Sequence, residues 1–316
     1  MNDLCAALQL TSADYLFPRI GYSLFNYLEK HANIVKAKII PWETGRDLLF
    51  AFVQLIESGV ISSINGEQDL SALQVSDSLL NQRMSWKELN EEEIETIRSF
   101  WDCRAKVYED EVINQWGYGA PLLCVHLLLS HLKKHVLNFE YSKFTFLDAA
   151  CGTGLVGDYF KSSLSFYFTE SEYEMDALDI SPDMLEKCKE KNCYSKFYCL
   201  PLGSNDSYLV QLPNRNYNGV FCIGTFAIGG PSPSLTIPEF VRLTAPGGFI
   251  CFTIQLEYLL TETNIALLDQ LLASLQTGLI PGKTCQVVYL SDYLQYLPSS
   301  EPSSFYRIWI LQVSQW

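Results

Sequence analysis

Past residue 142, short apolar runs alternate with stretches whose apolar positions recur every three or four residues. Residues 143–150, 173–179, 197–202, 218–223 and 249–254 are apolar runs of strand length. Residues 154–162, 181–191, 238–243 and 260–276 carry helical periodicity. Strands that alternate with helices predict a parallel sheet with crossover helices. Two β-rich runs near the C-terminus, 286–290 and 307–313, flank the loop Leu297-Pro298-Ser299-Ser300-Glu301-Pro302. They suit an antiparallel edge that closes the sheet.

Upstream the pattern is helical throughout. Residues 47–56 are apolar nearly all round and predict a buried helix, ended by Ser58-Gly59. Gln68-Asp69-Leu70-Ser71 leads into another, with Ser71 as a cap. A connector follows, with a capping box at Ser85-Trp86-Lys87-Glu88 and a second start at Asn90–Glu93. Ile94, Ile97, Trp101, Ala105, Tyr108 and Val112 then mark one face of a single helix, and Glu91-Glu92-Glu93 suit its first turn. The expected organisation is a helical N-terminal domain over 1–84, a helical connector capping a cofactor over 85–135, and an α/β domain over 136–316.

Composition narrows the class. The 316 residues are 48% hydrophobic and 18% charged, which suits folded domains with a substantial core. A net charge of -14 argues against long phosphate-tracking surfaces, so no nucleic-acid partner is expected. Lys133-Lys134, the densest basic pair, reads as the solvated end of a helix. The ten cysteines are scattered through core-like segments without Cys-x-x-Cys spacing, which suits a reducing, cytoplasmic setting and no metal site. No run of about 18 apolar residues and no leader-like N-terminus is present, so no membrane association is expected.

The chemistry sits in Phe144-Thr145-Phe146-Leu147-Asp148-Ala149-Ala150-Cys151-Gly152-Thr153-Gly154. A buried strand runs into a turn of small residues and then a helix, which lets a ligand approach the backbone. Dinucleotide sites use a related device. Here, though, Ala150 breaks the three-glycine spacing, and an acid beside the turn would repel a pyrophosphate. Asp148 would instead attract a cationic ammonium group. At the tip of the next strand stands Asp179, whose carboxylate is suited to two ribose hydroxyls. Ser181-Pro182 starts the following helix, and Ile180 and Met184 are placed to cover an adenine.

Leu-Asp-x-Ala-Cys-Gly-Thr-Gly, Asp-Ile-Ser-Pro-Asp-Met-Leu and Ala-Pro-Gly-Gly-Phe-Ile, in that order, resemble the successive signatures of class I S-adenosylmethionine-dependent methyltransferases. The resemblance spans about residues 97–260. Phe100-Trp101-Asp102, Ala105, Tyr108 and Tyr118-Gly119-Ala120-Pro121 are similar to the connector of the methyltransferase-like proteins first named from the Williams–Beuren syndrome region. Ile223-Gly224-Thr225-Phe226, Ile237-Pro238-Glu239 and Pro246-Gly247-Gly248 are similar to that group as well. Arg104 departs from it, standing where that group usually has Trp.

The resemblance implies a Rossmann-like fold with a mostly parallel seven-stranded sheet, and S-adenosyl-L-methionine as cofactor. It implies that Asp148, Gly152 and Gly154 hold the methionine portion, with Ala150 in the same turn, and that Asp179 holds the ribose. Ile180, Met184, Leu202 and Gly203 would line the adenine, although Leu202-Gly203-Ser204 replaces the acid that many relatives offer its amino group. Ile223 and Gly224 would lie beside the methyl, and Tyr108 and Trp101 would cover the cofactor.

Methyl transfer needs a general base only when the nucleophile is protonated. The fourth strand ends Ile223-Gly224-Thr225-Phe226, which lacks the Asn/Asp-Pro-Pro-Tyr/Phe pattern that holds planar amino groups. His126 and His131 read as structural, Glu257 as a solvated loop acid, and no catalytic base is assigned. The favoured reading is methyl transfer to a small molecule. A non-catalytic adenosylmethionine- or adenosylhomocysteine-binding protein stays open, and a nicotinamide-dependent oxidoreductase is the third reading. Residues 48–56, 59–61 and 69–80 faintly resemble the winged-helix dimerisation domain of small-molecule O-methyltransferases, which would make the protein a homodimer.

Overall fold

The computed structural model describes residues 15–16, 38–39, 88–135, 143–167, 173–203, 208–227, 229–259, 262–277, 284–298 and 304–314. The chain divides into two units, Met1–Gly66 and Glu67–Trp316. The described residues of the first are a short parallel pairing of Tyr15–Leu16 with Lys38–Ile39. The helix expected over 47–56, the cap at Ser71 and the Ser85 capping box lie outside the described residues.

The second unit is built on one sheet. Its strands are β1 (Phe144–Ala149), β2 (Tyr173–Asp179), β3 (Lys196–Cys199), β4 (Tyr217–Phe226), β5 (Thr244–Gln255), β6 (Cys285–Leu290), β7 (Leu294–Gln295) and β8 (Phe305–Val313). Their order is β3-β2-β1-β4-β5-β8-β6, with the two-residue β7 paired to β8. The first five run parallel, whereas β8 is antiparallel to both β5 and β6. The C-terminal run thus enters the sheet inside its edge, and β6 forms the edge.

The helices are α1 (Glu91–Arg104), α2 (Ala120–His135), α3 (Leu155–Tyr167), α4 (Pro182–Glu190), α5 (Pro233–Leu243), α6 (Leu256–Leu259) and α7 (Glu262–Thr277). Alternate residues of β1 serve opposite faces of the sheet. Phe146 meets Phe160 of α3 with ring centroids 4.6 Å apart, and both are fully buried. Gly219 in β4 leaves room there for Phe146 and for Leu128 of α2. Leu147 and Ala149 join the opposite cluster with Ile237 and Phe240 of α5 and Leu268 of α7. Each buried aromatic or leucine contributes roughly 1.5–3 kcal/mol, so the sheet is sealed on both faces and its strand ends are held rigidly.

At the start of α1, Asn90 Oδ1 accepts the Glu93 N–H at 2.9 Å and Glu93 Oε2 accepts the Asn90 N–H at 3.2 Å. This capping box is the second of the two starts read from the sequence. The single connector helix is corrected, however: α1 ends at Arg104, and a wider π-type turn forms at Asp110–Gln115. Steps of three and four residues do not distinguish a straight helix from a broken one. Local side-chain bonds favour the break, since Asp110 accepts from Asn114 at 2.9 Å and Gln115 at 3.0 Å while Arg104 pairs with Glu111. Within the connector, α2 packs on the sheet beside α3, and Lys133 and Lys134 lie exposed in its last turn. No described helix is long and apolar enough to cross a membrane.

Candidate active site

The turn from β1 to α3 carries three left-handed residues, Ala150 (φ 60°), Gly152 (φ 53°) and Gly154 (φ 89°). A backbone that folds this way turns N–H groups inward, and Asp179 at the tip of β2 collects one of them. Gly152 N–H donates to Asp179 Oδ2 at 2.8 Å, and Ser181 N–H donates to Oδ1 at 2.9 Å. One carboxylate therefore ties the β1–α3 turn to the β2–α4 turn. Each of its oxygens keeps a further lone pair, which suits a vicinal diol. Burial pushes the Asp179 carboxyl up to about 6, opposed by those backbone N–H bonds.

Asp148 is placed differently from the sequence expectation. It is fully buried and does not line the cavity described below, because its carboxylate is turned to Tyr194, which donates to Oδ2 at 2.6 Å. Tyr194 in turn accepts the Gly157 N–H at 2.8 Å. Its ring lies where side chains at Gly154 and Gly157 would stand, so these two glycines make room for a tyrosine. Gly154 is accordingly packed against Tyr194, Cys188 and Lys191, outside the cavity wall. Burial pushes the Asp148 carboxyl up to about 7; the Tyr194 bond opposes this and the Asp179 charge adds to it. Nothing local in the sequence around Tyr194 marks it.

A cavity of about 440 Å³ opens at the C-terminal ends of β1, β2 and β4. Ala150, Gly152, Asp179, Ile180, Met184, Leu202 and Ile223 all line it, as do Trp101 and Tyr108. These two rings meet edge to face, with centroids 5.8 Å apart. Gly203 stands behind the wall: its carbonyl accepts the Leu89 N–H at 3.2 Å, and Pro231 occupies the space a side chain there would need. Near its end, β4 shifts register between Cys222 and Phe226, which brings Ile223, Gly224 and Thr225 to the cavity.

The cover is latched down by residues whose roles the sequence did not show. Arg98 Nε donates to the Ile180 carbonyl at 3.2 Å, and the Ser181 hydroxyl donates to Asp102 Oδ1 at 2.5 Å. Ser181 also caps α4 by accepting the Met184 N–H at 3.0 Å. Thus α1 holds the turn that presents Asp179. Lys191 adds a tie to Glu109 at 2.9 Å.

Elsewhere, His126 is fully buried and shares hydrogen bonds with Tyr167 at 3.1 Å and Ser163 at 3.4 Å, which is a packing role. Glu257 is corrected: the expected solvated acid is half-buried in α6. Its Oε2 is enclosed without a hydrogen-bond partner among the described residues, and burial raises its pKa.

Residues 146–248 match the family model described as "Methyltransferase domain". Residues 1–56 match the model described as "Putative Phosphatase", and apart from 15–16 and 38–39 they lie outside the described residues. Among curated proteins none matches the chain. Solved structures similar to it include the cyclase SpnF, at 11% identity over 69% of this chain and 95% of that one, with a TM-score of 0.46. Another is a protein of Listeria monocytogenes described as a "putative class I S-adenosylmethionine-dependent methyltransferase", at 12% identity over 70% and 69%, TM-score 0.47. A third, from Galdieria sulphuraria, is described as a "putative sarcosine dimethylglycine methyltransferase", at 13% identity over 68% and 98%, TM-score 0.43. The second unit has the α/β Rossmann-like methyltransferase fold, and it is residues 146–248 within it that match the methyltransferase-domain model.

Proposed function

We propose that this protein transfers a methyl group from S-adenosyl-L-methionine to a small-molecule acceptor. The observation that carries this reading is Asp179, which stands in the cavity wall with both oxygens fixed by N–H groups of two adjoining turns. Ribose hydroxyls meet this carboxylate as donors. Ile180, Met184 and Leu202 supply an apolar slot for a purine, and Gly152 leaves the backbone open to the donor. The donor brings its own activated leaving group, so the protein's work is alignment and exclusion of water.

The narrower likeness to the Williams–Beuren group is part of the same proposal. It is supported by Trp101 and Tyr108, which lie in the cavity wall, and by Asp102, which latches α1 to Ser181. The homodimer and the organisation into 1–84, 85–135 and 136–316 also stand as proposals, to be tested by gel filtration of the full chain against one that begins near Ser85.

A ligand that binds the folded state alone raises its melting temperature. Thermal shift with adenosylmethionine, adenosylhomocysteine and NAD is the direct test, with shifts expected from the first two. Asp179→Ala should remove most of the adenosylhomocysteine shift while the unliganded protein stays folded. A shift from NAD alone, or an undiminished shift in the variant, would overturn the reading.

A further inference from the structure

The loop from β4 to α5 faces the cavity with little more than backbone. Thr225, Ala227, Gly229, Gly230 and Pro231 line the wall there. The loop is tightly wound: the Ala227 N–H donates to the Thr225 carbonyl at 2.9 Å, and the Gly230 N–H donates to the Ala227 carbonyl at 2.8 Å. A side chain at Gly230 would collide with the Thr225 carbonyl, so this turn needs glycine. A segment so poor in side chains has little packing of its own, and its position depends on what its carbonyls meet. Those of Gly230 and Pro231 meet Tyr258. This residue of α6 is fully buried, and its hydroxyl is shared between the Gly230 carbonyl at 3.2 Å and the Pro231 carbonyl at 3.3 Å. Burial raises its pKa, so the phenol stays a donor at neutral pH.

We propose that Tyr258 is a positioning residue for the adenosine portion of the donor, acting through this loop and not by contact. This rests on the methyltransferase reading above and names a further residue of the same site. The tie continues beyond the loop. Pro231 stands in the space that a side chain at Gly203 would need. Gly203, itself left-handed at φ 75°, accepts the Leu89 N–H at 3.2 Å just ahead of α1. Leu89 and Leu202 both line the cavity, so one hydroxyl supports the wall assigned to the adenine. Behind it, Asn264 Nδ2 of α7 donates to the Tyr258 carbonyl at 2.7 Å, and the ring belongs to the core cluster of Ile237 and Leu268. The core thus holds the ring whether or not it carries a hydroxyl. The partners of the hydroxyl are carbonyls of the cavity wall, which separates its part in the site from the ring's part in the fold.

Tyr258→Phe keeps the ring and removes the donor. Tyr217→Phe is the control, because the Tyr217 hydroxyl is also buried but donates to Asp176 at 2.9 Å, and neither residue lines the cavity. Both full-length variants should melt below the parent. In calorimetry, Tyr258→Phe alone should bind adenosylhomocysteine and adenosine more weakly, each by roughly fivefold, the size expected of one lost buried hydrogen bond. Hydrogen exchange at the Gly230 amide should quicken in that variant and keep the parent's rate in the control. Parental affinity in Tyr258→Phe, or the same loss of affinity in both variants, overturns the positioning role alone. A further measurement needs no variant: saturating adenosylhomocysteine should slow exchange at the Gly230 amide of the parent, and an unchanged rate equally overturns the role. Failure of the parent to bind either ligand brings down the methyltransferase reading and this proposal with it.

Discussion

The Tyr194 hydroxyl donates to Asp148 at 2.6 Å, across a sequence separation of 46 residues, and accepts the Gly157 N–H. The acid read from the sequence as a grip for an ammonium group is thus satisfied by a neutral phenol. Tyr194→Phe removes the donor from a buried carboxyl and the acceptor from a helix N–H. Unsatisfied buried groups of this kind cost about 1–3 kcal/mol. The midpoint of urea unfolding should fall accordingly, and an unchanged midpoint would show that the bond contributes nothing to the fold.

Asp148 and Asp179 set the pH dependence. Burial raises them to about 7 and about 6, against about 3.9 for an unfolded aspartate. Between about pH 4 and 7 the folded state therefore binds more protons than the unfolded one, so stability falls as pH rises through that window. Asp176 and Glu257 shift the same way, whereas the exposed Asp110 and Glu174 are lowered by their hydrogen bonds to Asn114 and Gln115 and to Lys143. Unfolding titrations from pH 4.5 to 7.5 should show the decline in the unliganded protein. Ligand affinity should run the other way. Ribose hydroxyls that donate to Asp179 favour its ionised form, so adenosylhomocysteine binding should strengthen as pH rises through about 6, with release of up to one proton. Calorimetry in buffers of different ionisation enthalpy measures that proton.

Much of this was legible before any coordinates. The run over 173–179 is β2 to the residue even though it carries Glu174, Asp176 and Asp179: Met175, Ala177 and Leu178 supply its buried apolar positions, and Asp176 is satisfied by the Tyr217 hydroxyl. Asp179 was legible for a local reason, as an acid at a strand tip followed by a Ser-Pro helix start. Tyr194, Arg98 and Asp102 were not, since each acts on a partner 46 to 82 residues away that no periodicity connects. The break after Arg104 escaped for the opposite reason. It depends on side-chain bonds within the turn, which leave the spacing of apolar positions intact.

The Asp102–Ser181 bond gives the cover a testable latch. Asp102→Ala deprives the Ser181 hydroxyl of its acceptor while Ser181 still caps α4 through Met184. Asp102 is half-buried, so the loss should be near 1 kcal/mol, or roughly fivefold in affinity. Adenosylhomocysteine should bind that much more weakly, chiefly through faster dissociation, which surface plasmon resonance reads directly. Equal dissociation rates in variant and parent would show that α1 closes the cavity without this bond.

Ala150 gives a prediction of the opposite sign. Its φ of 60° places an L-residue with a side chain in the left-handed region, where Cβ crowds the following carbonyl at a cost of about 1–2 kcal/mol. Ala150→Gly removes that crowding. It also frees the unfolded chain, which offsets about 0.4–1 kcal/mol of the gain. The net effect should be stabilising by about 0.5–1 kcal/mol, a rise in melting temperature of roughly 1–4 °C for a unit of this size. Because Ala150 lines the cavity, its methyl also occupies space beside Gly152. The glycine variant should therefore bind adenosylhomocysteine no more weakly than the parent. A lower melting temperature with weaker binding would mean that the alanine methyl makes contacts worth more than the strain it imposes.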